Sequence, residues 1–405
     1  MTSTVANSSV HGRGGEKETS GKCDATVSSS GQNGCPAARL RARVRSISRF
    51  SSSMHQLKVL FALTAASALV ACGGGGGDSP APPAPTPTPI PAPTPAPTPV
   101  AGNGTLQTSV PAANYGSDTR RLNAFNQLNA VRQGAGAGLL AQSTALDTSA
   151  QDHSNYLTVN GFNTADSAHD ETSGLTDFTG TTPFVRMQAA GYDFSYATEV
   201  IGDIGSSSAT SDCVGDLLDT VYHAVSMLSR VTDVGFGYGS GSAAGMCTID
   251  MGSPLSGGAS KQIPPSGAIV AYPYNGSTVA HGTFHVSNES PRVPTTLIPA
   301  STAGTPIVVG FRNQDAVGGA AVSISQFTIA TASGAALPGV IIGGSSVSGT
   351  NVNADTTGDL DSDFAVLVPI SPLAAGTYTV TLRATITGGQ ALALTTWTFT
   401  VASQQ

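Results

Sequence analysis

A stretch in which proline recurs almost every second residue divides the chain and limits what each part can fold into. It covers residues 79–100 (SPAPPAPTPTPIPAPTPAPTPV) and follows five consecutive glycines. Because proline lacks an amide hydrogen and fixes φ, this stretch cannot form a helix or a sheet and is expected to be extended polyproline II. At about 3.1 Å per residue it spans on the order of 70 Å. We therefore predict a Gly/Pro-rich linker over residues 72–117, with the folded domains after it.

The residues before this linker have the pattern of a secretion signal. Residues 54–71 (MHQLKVLFALTAASALVA) contain one lysine, then an apolar run, then small residues directly before Cys72. The apolar run is shorter than the roughly 20 residues that a membrane-spanning helix needs, so a cleaved signal peptide is favoured over a transmembrane helix. Residues 1–53 fit no part of such a signal. We interpret them as a disordered or misassigned leader, with translation starting at Met54.

The four residues Leu69-Val70-Ala71-Cys72 resemble the lipobox of bacterial lipoproteins. The resemblance implies cleavage before Cys72 and acylation of that cysteine, so that several acyl chains together hold the protein on a membrane. Gly73 in place of aspartate implies, by the same resemblance, the outer membrane. We expect an outer membrane lipoprotein or an extracellular protein; an ordinary signal peptide before an incidental cysteine is the alternative.

The charge distribution argues against nucleic acid as a partner. Nine of the 18 lysine and arginine residues lie before residue 60, whereas only three of the 25 acidic residues do. From residue 72 onward the chain has 9 basic against 22 acidic residues. A body this acidic repels phosphate groups, so we predict no nucleic acid partner.

Residues 118–255 have the periodicity of helices followed by short strands. Apolar residues recur every three positions from Leu122 to Val131, which is one stripe of an amphipathic helix. The predicted elements are helices from residue 119 to the glycines at 134–138, up to 160–161, from 183 to 191 and from 212 to about 221, and strands at 233–239 and 245–252. The last strand is expected at an edge. This order predicts an α+β domain in which helices pack on a small sheet.

Residues 267–405, after a linker predicted at 256–266, change to a period of two. Apolar residues alternate with polar ones at 378–386 and again at 397–401, which is typical of strands with one buried face. The segment predicts an all-β sandwich. Its residues 371–380 (SPLAAGTYTV) resemble the penultimate-strand region of bacterial immunoglobulin-like domains, which implies a spacer or an adhesive module.

A series of short landmarks follows a fixed order within residues 118–255. They are LNAVRQG at 128–134, Asn-Gly at 160–161, a histidine loop at 167–170, VRMQAAGY at 185–192, a glutamate at 199, a histidine at 223, VGFGY at 234–238 and IDMG at 249–252. Their order resembles bacterial CAP domains, the cysteine-rich secretory, antigen 5 and pathogenesis-related family. The resemblance implies an α-β-α sandwich.

The cleft of that family holds two histidines and two glutamates. By resemblance, His169, Glu199 and His223 take three of these places, although the family's Gly-Glu-Asn and Gly-His settings are replaced by Thr-Glu-Val and Tyr-His. The fourth acid is not recovered. Asp219 and Asp216, in the helix predicted at 212–221, are the candidates.

Three kinds of chemistry stay open for this cleft. Two converging imidazoles can bind a divalent metal such as zinc, with Glu199 as a further ligand or as the group that orients a histidine. The same His169 and His223 can act as an acid and base pair, or can only hydrogen-bond across the loops that close the fold. His153 lies on the apolar stripe of its helix and is interpreted as a core histidine.

Two cysteines remain once those of the leader and Cys72 are set aside. Cys213 and Cys247 both lie in the α+β domain. In an oxidising compartment outside the cytoplasm we expect a disulfide between them, which would stabilise the domain by a few kcal/mol.

Four aspartates alternate with other residues at 355–363 (DTTGDLDSD): Asp355, Asp359, Asp361 and Asp363. Their carboxylates suit calcium ligation, but the glycine and the closing glutamate of an EF-hand loop are missing. We favour a solvated turn over a calcium site.

The leading hypothesis is a secreted, lipid-anchored protein that presents the His/Glu cleft to a ligand, either a divalent metal or an apolar molecule. One alternative is hydrolysis of an envelope polymer or peptide by the same cleft. Another is adhesion through the β-sandwich. We favour binding over catalysis.

Overall fold

The structure is a computed structural model. It describes residues 105–161, 167–203, 212–239, 246–255, 261–311, 321–387 and 391–403, together with the backbone of residues 3–6. Cys72, the predicted secretion signal and the Pro-rich stretch at 79–100 lie outside these residues, whereas residues 105–117 of the predicted linker are described. Within the described part of the chain, no helix is both long enough and apolar enough to cross a membrane.

The helices lie in residues 105–255, which we call the α+β region. They are α1 (Thr119–Ala135), α2 (Thr144–Asn160), α3 (Pro183–Ala189), α4 (Cys213–Leu218) and α5 (Tyr222–Leu228). The side chains of Asp118, Ser143 and Thr182 accept backbone N–H groups at the starts of the first three helices. The first helix ends at Gly136, whose φ of 79° is the left-handed conformation common after a helix.

The strands form four sheets. They are β1 (Ser3–Ala6), β2 (Ala141–Gln142), β3 (Phe194–Asp203), β4 (Asp233–Tyr238), β5 (Met246–Pro254), β6 (Ile269–Tyr272), β7 (Thr278–Val279), β8 (Thr283–Phe284), β9 (Glu289–Ser290), β10 (Ala303–Gly304), β11 (Ile307–Phe311), β12 (Val322–Thr331), β13 (Ala336–Leu337), β14 (Gly339–Gly343), β15 (Val347–Gly349), β16 (Val352–Ala354), β17 (Phe364–Pro369), β18 (Gly376–Ile386) and β19 (Thr396–Val401). A short 3-10 helix at Val286–Asn288 precedes β9.

The sheet of the α+β region has the strand order β2-β4-β5-β3-β1-β9. Its central strands β4, β5 and β3 are antiparallel, and α2 packs on them. Gly235 and Gly237 of β4 permit this packing, because a Cβ atom at either position would clash with the backbone of α2 at Asp147 or Ala150. The predicted arrangement of helices on a small sheet is confirmed.

Four details of the α+β region differ from the sequence prediction. The helix predicted from 212 to 221 is shorter, because Asp219 ends α4. A second helix that was not predicted, α5, begins at Tyr222, whose N–H donates to the Glu289 carboxylate. Strand β3 was not predicted, since its second half is buried on both faces and shows no alternation. Strand β5, predicted at an edge, is central, because β3 covers its other side.

Residues 261–403, which we call the β-rich region, contain the other three sheets. The orders are β10-β8, β16-β14-β17-β11-β6 and β13-β12-β18-β19-β7, with β15 also paired to β12. The predicted alternating segments are β18 and β19, which pair with each other antiparallel. The β-rich nature of this region is confirmed, whereas its immunoglobulin-like class stays a prediction.

The two regions share a continuous hydrophobic core. The buried side chains of α1 and α5 belong to the same apolar cluster as those of β11 and β17. Arg230 adds a polar contact, donating to the Phe311 carbonyl (2.8 Å) and pairing with Asp363. The two regions therefore pack directly on each other.

Candidate functional site

His169 and Glu199 are brought together in the interior of the α+β region. His169 lies in the loop after α2 and Glu199 lies on β3, and both are fully buried. The His169 Nδ1 donates to Glu199 Oε1 at 2.7 Å. Two of the three residues assigned to the cleft by resemblance are thus direct neighbours.

Arg186 of α3 binds the same carboxylate, and sequence analysis did not identify it. Its Nη2 donates to both Glu199 oxygens at 3.0 and 2.8 Å, and its Nη1 donates to the His169 carbonyl at 2.8 Å. Arg186 is 1% exposed. The guanidinium therefore holds both the glutamate and the histidine loop, and the only sequence indication was its place in the VRMQAAGY landmark.

A second histidine and glutamate pair lies beside the first. His153 Nδ1 donates to Glu171 Oε1 at 2.9 Å, and Glu171 Oε2 accepts the N–H groups of Thr179 (2.6 Å) and Gly180 (3.2 Å). Arg186 Nε lies 3.6 Å from Glu171 Oε1. His153 is fully buried, which agrees with its interpretation as a core histidine. Sequence analysis missed Glu171. This residue lies two positions after His169 in an irregular loop, and such a loop has no periodic pattern.

Asp250 of β5 faces Glu199 as its direct cross-strand partner in the antiparallel pair. Its side chain is fully buried beside Ser149 and Glu199. Burial, followed by the neighbouring charge of Glu199, raises the pKa of the Asp250 carboxyl well above its ordinary value. Burial therefore favours the protonated form of Asp250 beside the charged Glu199.

The charges around Glu199 lower its pKa, whereas the pKa of Asp250 is raised. Burial alone would raise the pKa of Glu199, but Arg186, His153 and His169 outweigh burial and hold it well below its ordinary value. Burial also lowers the pKa of the His153 imidazole. The network thus places an ionised Glu199 between the Arg186 guanidinium and the buried Asp250, whose carboxyl pKa is raised.

His223 has a different set of partners at the boundary with the β-rich region. It lies on α5 and is fully buried. Its Nδ1 is 2.8 Å from Thr220 Oγ1 and 3.7 Å from Glu289 Oε1. Since the Thr220 hydroxyl donates to the Leu217 carbonyl, its oxygen accepts from the imidazole.

Glu289 is an acid beside His223 that sequence analysis missed. It comes from β9 of the β-rich region, is 1% exposed, and accepts the Tyr222 N–H at 2.5 Å through Oε1. Its Oε2 has no hydrogen-bond partner. No local pattern could identify Glu289, because it is 66 residues from His223 in sequence and reaches it only through the tertiary fold.

The two acids considered for the fourth place lie elsewhere. Asp219, at the end of α4, bonds with its Oδ2 to His281 Nδ1 of the β-rich region at 2.8 Å. Burial raises the pKa of Asp219 to about 6. Asp216 is exposed on α4. Glu289 occupies the position beside His223 that neither aspartate takes.

The donor set at Glu199 is a poor fit for a metal ion. Both carboxylate oxygens are bound by Arg186, and Oε1 also accepts from His169, so a cation would have to displace a guanidinium. Among the described residues, no three His, Cys, Asp or Glu side chains are grouped as a metal site requires. Zinc at His169, His223 and Glu199 stays a prediction, and no step is assigned to it.

The aspartates at 355–363 make contacts within the turn and across to the α+β region. Asp355 accepts the N–H groups of Gly358 and Leu360, both at 3.0 Å, and the Tyr222 hydroxyl at 3.1 Å. Asp361 accepts the Tyr196 hydroxyl at 3.2 Å. Asp355 and Asp361 are thus engaged in hydrogen bonds. The preference for a turn over a calcium site stays a prediction.

The disulfide between Cys213 and Cys247 is confirmed. Cys213 is the first residue of α4 and Cys247 lies on β5, with a Cα–Cα distance of 6.5 Å. The bridge therefore joins the helices that lead to His223 with the sheet that carries Asp250.

The comparison with protein families agrees with the landmarks. Residues 125–251 match the CAP family, described as the cysteine-rich secretory protein family, and this part of the chain is a CAP domain. One solved structure, an extracellular protein containing a SCP domain from Bacillus anthracis str. Ames, matches at 22% identity with a TM-score of 0.26. The match covers 33% of this chain and 40% of that chain. No curated protein matches.

Proposed function

We propose that this chain is a binding protein of the cell envelope, anchored through Cys72, whose ligand site lies where the CAP domain meets the β-rich region. The observation that carries the proposal is the contrast between the two histidines. His169 and Glu199 are buried and bound to Arg186. His223 instead meets Glu289, a carboxylate from the other region with one unpartnered oxygen.

The His169 network supports a structural role for that half of the predicted cleft. A general acid or base has to come within hydrogen-bonding distance of its substrate. Reaching Glu199 would require displacement of Arg186, which leaves a buried carboxylate without its counter-charge. We assign to this network the task of holding the histidine loop and α3 on the sheet.

The proposed location rests on the sequence before the linker and on the CAP domain. The lipobox-like residues before Cys72 and the long Pro-rich spacer suit a domain held away from a membrane. The Cys213–Cys247 bridge suits an oxidising compartment. Of the two ligands expected from the sequence, an apolar molecule suits this proposal better than a metal, because Arg186 binds both Glu199 oxygens.

Membrane attachment can be tested with the full chain and one substitution. Wild-type protein expressed in a Gram-negative host should float with the membranes and incorporate radiolabelled palmitate, whereas Cys72→Ser should do neither. Ser79→Ala is the matched control in the same linker. Equal flotation of wild type and Cys72→Ser would overturn the anchor.

Hydrolysis is the second candidate, because the Glu289 carboxylate lies 3.7 Å from His223 Nδ1 and places a negative charge beside an imidazole, the group most often used for proton transfer. Incubation of the full chain with a fluorogenic peptide library and with dye-labelled cell wall tests it. Turnover that disappears in His223→Ala but persists in His285→Ala would replace the binding proposal with an enzymatic one. We expect no turnover that depends on His223.

A further inference from the structure

The sheet of the CAP domain and the β-rich region are bridged by a strand from the leader. Strand β1 pairs antiparallel with β3, with Val5 opposite Val200 and Ala6 opposite Glu199. It also pairs parallel with β9, with Ser3 opposite Glu289 and Thr4 opposite Ser290. The leader strand is therefore bound on both of its edges by main-chain pairing.

Strands β3 and β9 are separated by the width of one strand. Neighbouring strands in a sheet lie about 4.8 Å apart, so the edges of β3 and β9 are about 10 Å apart with β1 between them. We call this space the strand slot. Among the described residues, β9 has no pairing partner besides β1, and β3 has only β5 on its other side.

Both walls of the strand slot are held by contacts that do not involve β1. On one side, β3 pairs with β5 over nine residue pairs, and its Glu199 is fixed by Arg186. On the other side, Glu289 of β9 accepts the Tyr222 N–H at the start of α5. The walls have these supports whether or not a strand lies between them.

The leader strand lies before the predicted cleavage site at Cys72. Processing there, or translation from Met54, yields a chain without Ser3–Ala6 and leaves two facing rows of backbone donors and acceptors unpaired. Unpaired sheet edges bind extended peptides by strand addition, in which main-chain hydrogen bonds supply the affinity.

We propose that the strand slot is the ligand site of the processed protein and that it binds an extended peptide segment of another protein. This inference rests on the proposed function and names its ligand class. The occupant is at least four residues long, free of proline and composed of small or β-branched residues, as Ser-Thr-Val-Ala is in this chain. It runs antiparallel to β3 and parallel to β9.

The unprocessed chain, residues 1–405, allows a direct test. Val5→Pro removes an N–H and prevents ladder pairing at that residue, so it should release the leader strand, whereas Val5→Ala retains the N–H and is the control. The probe is a fluorescein-labelled peptide of residues 1–8, MTSTVANS. In anisotropy titrations it should bind Val5→Pro at least tenfold more tightly than wild type or Val5→Ala.

Hydrogen exchange supplies an independent measurement of the same site. Of the amides at 199–200 and 289–290, those that point toward β1 should lose protection in Val5→Pro and regain it when the peptide is added, while amides of β18 and β19 stay protected and report that the protein is folded. Unchanged protection in Val5→Pro together with no peptide binding would overturn the proposal. Equal binding of the proline-containing peptide MTSTPANS would also overturn it, because main-chain pairing would then not be responsible.

These measurements use purified protein, so they do not depend on acylation of Cys72. A chain that floats with membranes but binds no peptide contradicts the strand slot alone. A chain that binds the peptide but is not membrane-attached contradicts the anchor alone.

Discussion

The two histidines that the family pattern places in one cleft lie in two different electrostatic settings. His169 belongs to a network made entirely by the α+β region, in which Arg186 and Glu199 neutralise each other. His223 lies at the junction, where its acidic neighbour Glu289 comes from the β-rich region. Landmarks along a sequence report the residue types of a site, but the charge balance of each residue is set by its neighbours in space.

The His169 and His223 sites are also expected to stabilise different parts of the molecule. A buried carboxylate with a bidentate guanidinium is costly to disrupt, because removal of either partner leaves an uncompensated charge. The Glu289 contact is a single hydrogen bond to a backbone N–H next to an imidazole. We therefore expect the first site to govern the stability of the CAP domain and the second to govern its attachment to the β-rich region.

The largest effect is expected from Arg186→Met. The substitution keeps an unbranched side chain but leaves Glu199 buried without its cation, which should lower the free energy of unfolding by about 3–5 kcal/mol. Urea denaturation followed by circular dichroism measures it. Arg383→Met, at an exposed position on β18, is the matched control and should change stability by less than about 0.5 kcal/mol.

A double substitution sharpens this prediction. Arg186→Met combined with Glu199→Gln removes both charges, and it should recover part of the stability lost in Arg186→Met. If the double variant is less stable than Arg186→Met by the full cost of Glu199→Gln alone, the two side chains are not coupled and the network described for His169 is wrong.

The next largest effect is expected from removal of the disulfide that links the two sites. Replacing Cys213 and Cys247 by alanine should lower the free energy of unfolding by about 2–4 kcal/mol under oxidising conditions. Wild type should lose the same stability when dithiothreitol is added, whereas the alanine variant should not respond. A wild type whose urea midpoint is unaffected by reductant would contradict a stabilising bridge.

Local pattern predicted the parts of this molecule that depend on neighbours in sequence. The stripe from Leu122 to Val131 predicted α1, and alternation predicted β18 and β19, because one face of each element is buried. Strand β3 escaped detection because burial on both faces removes alternation. Arg186 and Glu289 escaped as site residues because their roles depend on pairing with distant residues, Glu199 and His223.

A smaller effect is expected at the junction from Glu289→Ala. The substitution leaves the buried Tyr222 N–H without an acceptor, which should cost about 1–3 kcal/mol. Glu289→Gln keeps an acceptor at the same position and should cost less. Hydrogen exchange of the Tyr222 amide distinguishes the cases: it should accelerate in Glu289→Ala and stay near wild type in Glu289→Gln. Equal exchange in all three proteins would show that Glu289 does not hold α5.

The smallest effect is expected from pH at the other polar contact of the junction, Asp219 with His281. Burial raises the pKa of Asp219 from 3.8 to about 6, so the folded state takes up its proton first and gains stability as pH falls from above 6 toward 4. The hydrogen bond to Asp219 raises the pKa of His281 above 6.5, and the stability this shift contributes is present below 6.5 and lost as pH rises through the raised value. Both shifts thus have the same sign.

Since His281 is about half exposed, solvent screening reduces the combined change to about 1 kcal/mol. Urea midpoints from pH 4.5 to 8 should decline more steeply in wild type than in the Asp219→Asn, His281→Gln double variant, and parallel curves would remove this pair from the pH dependence of the junction.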